Sequence, residues 1–275
     1  MDEHPYDPST MAALTRSQTI VEVAVGGNLM SLKAEGLGGG SGGGGKRGKV
    51  KILSSASRRR LLRLQNSINR ERCRHLPLFM TLTYPQEYPT DGKTVKRHLD
   101  TFLKRLARAY PSASAIWKLE YQERGAPHYH LMVYGSPYIG YGWVATSWYD
   151  VVGSEDKRHL VAGTQVKRIE SWRQATYYVA KYIAKVDDTI PCDNPGRFWG
   201  VFNREQLPID IVSLVITLEQ FYRLRRHSRK YLAAMMKRRN DGKRVRLRGS
   251  PHGGCSLYIS DAVARRLLAW GGIDE

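Results

Sequence analysis

Apolar and polar positions along the middle of the chain separate into two periods. Residues 78–84 (LFMTLTY) are strand formers halted by Pro85. Residues 95–110 place Val95, Leu99, Phe102, Leu103, Leu106 and Tyr110 at helical spacing, with Lys96, Arg97, Lys104, Arg105 and Arg108 elsewhere on the wheel. That pattern predicts an amphipathic helix packed on a sheet. IWKLEY and HYHLMVYG read as two strands joined by a short turn, GTQVKRI (163–169) as another strand, and WRQATYYVAKYIAKV as a helix. A later helix runs from about Leu218 to about Arg238, with Thr217 and Gln220 spaced as a capping box. A last short helix opens at Ser260-Asp261 and closes near Gly271 and Gly272.

Composition adds a division of the chain and a class of partner. Residues 36–45 (GLGGGSGGGG) hold eight glycines, too costly to order and too poor in side chains to pack, and read as a flexible tether. Residues 1–45 are expected to be a mostly disordered tail, in which only TIVEVAV could form a strand and whose removal should matter little. Residues 46–210 then form the main domain, and residues 211–275 a basic helical extension. The net charge is +19, and the tail itself is acidic, so the basic surplus lies downstream. Eleven Lys or Arg fall in residues 46–74, among them Arg58, Arg59 and Arg60, and twelve in residues 223–248, opposed only by Glu71 and Asp241. Most charge runs are solvated helix faces, but this scarcity of acids favours phosphate contact. The three cysteines are far apart, which supports neither a disulfide framework nor a thiolate zinc site and points to a reducing, cytoplasmic setting. No secretory signal pattern opens the chain, and its best apolar run, IVSLVITL, is too short to span a bilayer, so no membrane partner is expected.

Two groups of residues carry candidate chemistry. His128 and His130 stand two apart in a strand, so both imidazoles share one face. If Glu123-Arg124-Gly125 is a three-residue hairpin loop with Gly125 left-handed, Gln122 pairs with Ala126 and Glu120 lies opposite His128. Glu120, His128 and His130 then converge as a divalent-cation site with open positions, while Glu123 is the alternative ligand in another register. An isolated HxH is more often two half-exposed strand histidines, and the carboxylate is what argues for a metal. On the helix over 172–186, Trp172, Ala175, Val179 and Ile183 form the apolar stripe, and Tyr178 and Tyr182 lie together on its border. Tyr177 points elsewhere, and Lys181 and Lys185 flank the pair, where they could bind a phosphate or favour a phenolate. An isolated YxxxY is usually two tyrosines sealing a core edge.

In order and spacing, FMTLTY, HxH and YVAKY resemble the three motifs of the HUH rolling-circle replication initiators. The resemblance covers roughly residues 46–202, including GRFWGVFN, and is nearest the branch of plasmid Rep proteins and single-stranded DNA phage A proteins, whose third motif holds two tyrosines. It implies an α+β fold with a central antiparallel sheet of about five strands, flanking helices and the histidine strand in the middle. It also implies that His128, His130 and Glu120 bind Mg2+ or Mn2+ and that Tyr178 and Tyr182 are nucleophiles. The implied activity is nicking and rejoining one strand of a single-stranded or hairpin origin through a 5′-phosphotyrosine. No GxxxxGK[ST] motif is present, so unwinding falls to a host helicase working with the replication machinery. Relaxases and single-strand transposases use the same groups, and a non-catalytic nucleic-acid-binding repressor would leave them structural.

Overall fold

The computed structural model describes residues 19–34, 52–179, 181, 195–239 and 255–273. In chain order the elements are β1 (Thr19–Ala24), β2 (Met30–Ala34), α1 (Ser55–Asn66), β3 (Leu78–Thr83), α2 (Gly92–Ala109), β4 (Ser114–Tyr121) and β5 (Pro127–Tyr134). There follow α3 (Tyr141–Val152), α4 (Lys157–Ala162), β6 (Thr164–Arg168), α5 (Trp172–Tyr178), β7 (Trp199–Phe202), β8 (Ile211–Ile216), α6 (Leu218–Arg239), β9 (Cys255–Leu257) and α7 (Asp261–Gly271). The chain divides into two compact units, one of Met1–Gly45, Asn66–Asn69 and Ile209–Glu275, the other of Lys46–Gln65 and Arg70–Pro208.

The second unit is the α+β domain. Its five strands form an antiparallel sheet in the order β6-β3-β5-β4-β7, which puts the histidine strand β5 at the centre. Helix α2 starts at Asp91, whose carboxylate accepts from the Lys93 and Thr94 amides. Its stripe of Val95, Leu99, Phe102 and Leu106 packs on Met80, Leu82, Leu119, Tyr129 and Leu131 of the sheet, together with Val144 and Trp148 of α3. The opposite face is covered as well. Tyr134 donates to Gln65 of α1 at 3.0 Å, Trp199 donates to Ser57 of α1 at 2.9 Å, and the Tyr178 ring of α5 lies 4.6 Å from that of Phe79. Covering both faces explains why β3 and β4 are buried along almost their whole length rather than at alternate residues.

The first unit corrects the expected domain layout. Residues 19–34 are strands, not a disordered tail, and residues 211–275 are no purely helical extension, since they contribute β8 and β9. The four strands make an antiparallel sheet in the order β8-β1-β2-β9. Its apolar side, with Val21, Val23, Met30 and Leu32, packs against Phe221 and Leu224 of α6 and Ala264, Leu267 and Leu268 of α7. Residues 66–69 also belong here, through the Ile68–Ile209 bridge and an Asn69–Asp210 hydrogen bond of 2.8 Å. The physical reason is pairing: TIVEVA has one apolar face that cannot stay in water, and its partner strand lies almost two hundred residues away. Residues 1–18 and the Gly-rich 36–45 lie outside the described residues.

Because β1 and β2 are the two inner strands of that sheet, deleting residues 1–45 is expected to unfold the first unit. Limited proteolysis should then cut rapidly within residues 209–275, and wild-type resistance in the deletion variant would show that the sheet survives without its middle.

Helix α6 opens with the expected reciprocal cap: the Thr217 amide donates to Gln220 at 2.9 Å and the Gln220 amide to the Thr217 hydroxyl at 3.1 Å. Helix α7 closes on Gly272 at φ 71°. Among the described residues no helix is long and apolar enough to cross a membrane.

Candidate active site

The hairpin between β4 and β5 sets the site. Gln122 and Ala126 flank a three-residue loop in which Gly125 takes φ 83°, and the Gln122 amide donates to the Ala126 carbonyl at 3.0 Å. This is the register expected from the loop, with Glu120 opposite His128 and Lys118 opposite His130. On the other side of β5, Thr83 lies opposite His128 and Thr81 opposite His130. Cross-strand partners project to the same face, so Lys118, Glu120, Thr81, Thr83 and the two histidines form one polar patch.

Within the patch, His130 Nε2 is 3.1 Å from Glu120 Oε2. The Lys118 ammonium, only 1% exposed, is hydrogen-bonded to the other carboxylate oxygen. The His128 ring stands edge-on to His130, with centroids 4.5 Å apart and planes at 81°. Its Nδ1 is 2.9 Å from the Thr83 hydroxyl, which leaves Nε2 for a ligand. Thr83 is itself fixed, since its carbonyl accepts from Trp148 Nε1 at 2.7 Å and lies 2.8 Å from His159 Nε2. The Arg124 guanidinium, bonded to the carbonyls of Tyr84, Pro85 and Gln86, ties the loop tip to the end of β3.

Burial by itself raises the Glu120 carboxyl, but the His130 hydrogen bond and the Lys118 charge together outweigh it and hold the group below the ordinary carboxylate range. A carboxyl depressed in the folded state adds stability that is complete above its unfolded value of about 4.3 and is lost as pH falls through the lower folded value. Glu120→Gln is therefore expected to flatten the fall of melting temperature below about pH 4. At neutral pH the same variant removes the carboxylate from a buried ammonium and should lose about 3–5 kcal/mol. Parallel acid limbs for the two proteins would deny the carboxylate this role.

Two imidazoles and a carboxylate suit a divalent cation that keeps open positions. Glu120 Oε2 and His130 Nε2 fit as neighbours: adjacent ligands around a six-coordinate cation with bonds of about 2.1 Å stand about 3 Å apart. His128 is offset from them, and among the described residues no group of three His, Cys, Asp or Glu side chains is gathered closely enough to hold a metal ion. Glu123, at the exposed loop, is not in this patch.

The tyrosine helix meets the same face. The rings of Tyr178, Phe79 and His130 form a row, with centroids 4.6 Å and 5.4 Å apart. Tyr178 lines a cavity of about 600 Å³ together with His128 and His130. Tyr177 is 57% exposed and does not line it. The Lys181 ammonium lies 5.7 Å from the Tyr177 ring centre, so its described ring contact is with the residue expected to be the bystander. Tyr182 and Lys185 lie outside the described residues. Arg58, Arg59 and Arg60 are exposed on α1.

The sequence reading missed Lys118 and Thr83. Their signal is spacing: K-x-E on β4 and T-x-T on β3 each put two polar side chains on the face that H-x-H occupies on β5.

Residues 77–187 match the model of a family of replication-associated proteins of the ORF2 type. This segment contains β3 to α5 and every residue of the patch. The similarity supports a replication initiator role. No curated protein matches the chain.

Proposed function

We propose that this chain is an HUH-type rolling-circle replication initiator, a tyrosine endonuclease and strand transferase that nicks one DNA strand at an origin and later rejoins it. One observation carries the reading: the histidine pair, Glu120 and Tyr178 come from three separate sequence motifs and meet at a single face of the central sheet.

In this reading a phenol oxygen of Tyr178 or Tyr182 attacks the scissile phosphorus. The bond to the 3′ oxygen breaks, and a proton passes from the phenol side to the leaving alkoxide. The products are a 5′-phosphotyrosine diester and a free 3′-OH that primes synthesis. One diester replaces another, so the reverse step reseals the strand without ATP. Glu120, His128 and His130 would hold a divalent cation, which when bound would polarise the phosphate and offset its charge. Lys118 holds the Glu120 carboxylate ionised within the buried patch, and Thr83 fixes the His128 ring. Lys181 and Lys185 bind the phosphate or favour the phenolate. The protein works in the cytoplasm with a host helicase and the replication machinery.

The test is incubation of the full chain with pooled single-stranded oligonucleotides and Mg2+ or Mn2+, followed by denaturing electrophoresis. A covalent adduct that requires the metal supports the reading. DNA binding without any adduct would leave a non-catalytic binding protein.

Phosphate contact through α1 is part of the same proposal. Neutralising Arg58, Arg59 and Arg60 together is expected to weaken binding to duplexes of any sequence and to reduce the slope of log affinity against log salt by about 0.9 per lost contact. An unchanged slope in a salt titration would assign the cluster to a solvated face.

A further inference from the structure

The cavity beside the histidine pair continues across the sheet, and its far half takes no part in the chemistry above. Thr81 of β3 lies opposite His130 on one side and opposite Gln165 of β6 on the other, while Phe79 lies opposite Lys167. Gln165 and Lys167 therefore share the face of His128 and His130, and both line the cavity. Two strand spacings, about 10 Å, separate the backbones of His130 and Gln165. Both β6 side chains are exposed, although the face they share is closed over elsewhere.

The wall of this half is aromatic and apolar. Tyr141, at the start of α3, donates its hydroxyl to the Val161 carbonyl of α4, which joins the two helices over the cavity. Tyr141 is 43% and Val161 73% exposed, and both line the cavity. The volume lies within the roughly 300–1,000 Å³ typical of clefts that take small organic groups.

We propose that this half of the cavity is a nucleobase subsite, which takes an unpaired base next to the scissile phosphodiester. It rests on the nicking function proposed above. Three features select this ligand. The Tyr141 ring supplies a face on which a base stacks whatever its identity. The Gln165 amide presents a donor beside an acceptor, the complement of a base edge, and so discriminates among bases. Lys167 supplies a cation for the phosphate of the same nucleotide. A base within a duplex has neither face nor edge free in this way, so the subsite selects single-stranded DNA.

The test uses the full chain with short 5′-fluorescein-labelled oligo(dA), oligo(dC) and oligo(dT), in chelator so that no strand is cut, with affinity read by anisotropy. Wild type is expected to rank the three. Gln165→Ala should bring them within about twofold of one another, and Tyr141→Ala should weaken all of them about tenfold. If Tyr141→Ala melts early, Tyr141→Leu keeps the bulk of the wall without the stacking face and serves instead. Equal wild-type affinity for the three refutes base reading by Gln165. Wild-type affinities and ranking in both folded variants refute the subsite as a whole, even if metal-dependent adducts form. Altered ranking in a protein that forms no adduct with any metal supports the subsite and overturns nicking.

Discussion

Replacing both Tyr178 and Tyr182 by Phe is expected to abolish the covalent protein-DNA adduct while leaving the melting temperature near that of wild type. Phe keeps the ring that packs at 4.6 Å on Phe79 and removes only the hydroxyl that would attack. Phe at Tyr177 should be nearly silent, because that ring is 57% exposed and stands outside the cavity. Either single change at Tyr178 or Tyr182 should leave some cleavage of single-stranded substrate. It should impair the coupled cycle, which needs one tyrosine free to attack while the other holds the old 5′ end. Peptide mapping of the trapped adduct decides the matter: a phosphotyrosine link at Tyr177, or at any tyrosine outside this helix, would refute the assignment.

The reason this much of the site could be anticipated is that its geometry is set by short-range rules. The loop between β4 and β5 has three residues and a left-handed glycine, and that alone brings Glu120 opposite His128. The same holds for α2, whose apolar stripe repeats at helical spacing, and for the reciprocal cap of α6. Helix α3 was harder to see because YGWVATSWYDVV is apolar on most sides. Val144 and Trp148 are buried in the core while Trp143, Val151 and Val152 pack at its margin, so no polar face marks the turn of the helix.

Long-range pairing was invisible for a different reason. Nothing in TIVEVA indicates that β8 will be its neighbour, and a glycine-rich segment close behind it made the whole N-terminus look unstructured. Lys118 shows the same limit at a single residue. In IWKLEY the alternation of polar and apolar residues reads as a strand with one wet face, and a lysine there is expected in water. The ammonium is instead enclosed, because helices cover both faces of the sheet and its partner carboxylate is enclosed with it. An isolated buried charge is too costly to keep, so the lysine and Glu120 are best regarded as one unit.

That unit frames the second large effect. His128→Ala and His130→Ala are each expected to reduce metal-dependent adduct formation more than about a hundredfold, beyond the ten- to hundredfold typical of losing a residue that merely orients a ligand. Thr83→Val should fall in that lower range. The hydroxyl it loses is the 2.9 Å partner of His128 Nδ1, and the backbone of Thr83 is held independently by Trp148. Duplex affinity should be nearly unchanged in all three variants, because the phosphate contacts belong to the arginines of α1 and to the basic stretch over 223–248 rather than to the patch. A Mn2+ titration separates the two roles: Thr83→Val should recover activity at higher metal concentration, as a ring that is present but loosely held still binds. Neither histidine variant should recover. Full nicking by the double histidine variant, or by wild type in excess chelator, would remove the metal from the mechanism and leave Lys118 as the cation nearest Glu120 and the histidine pair.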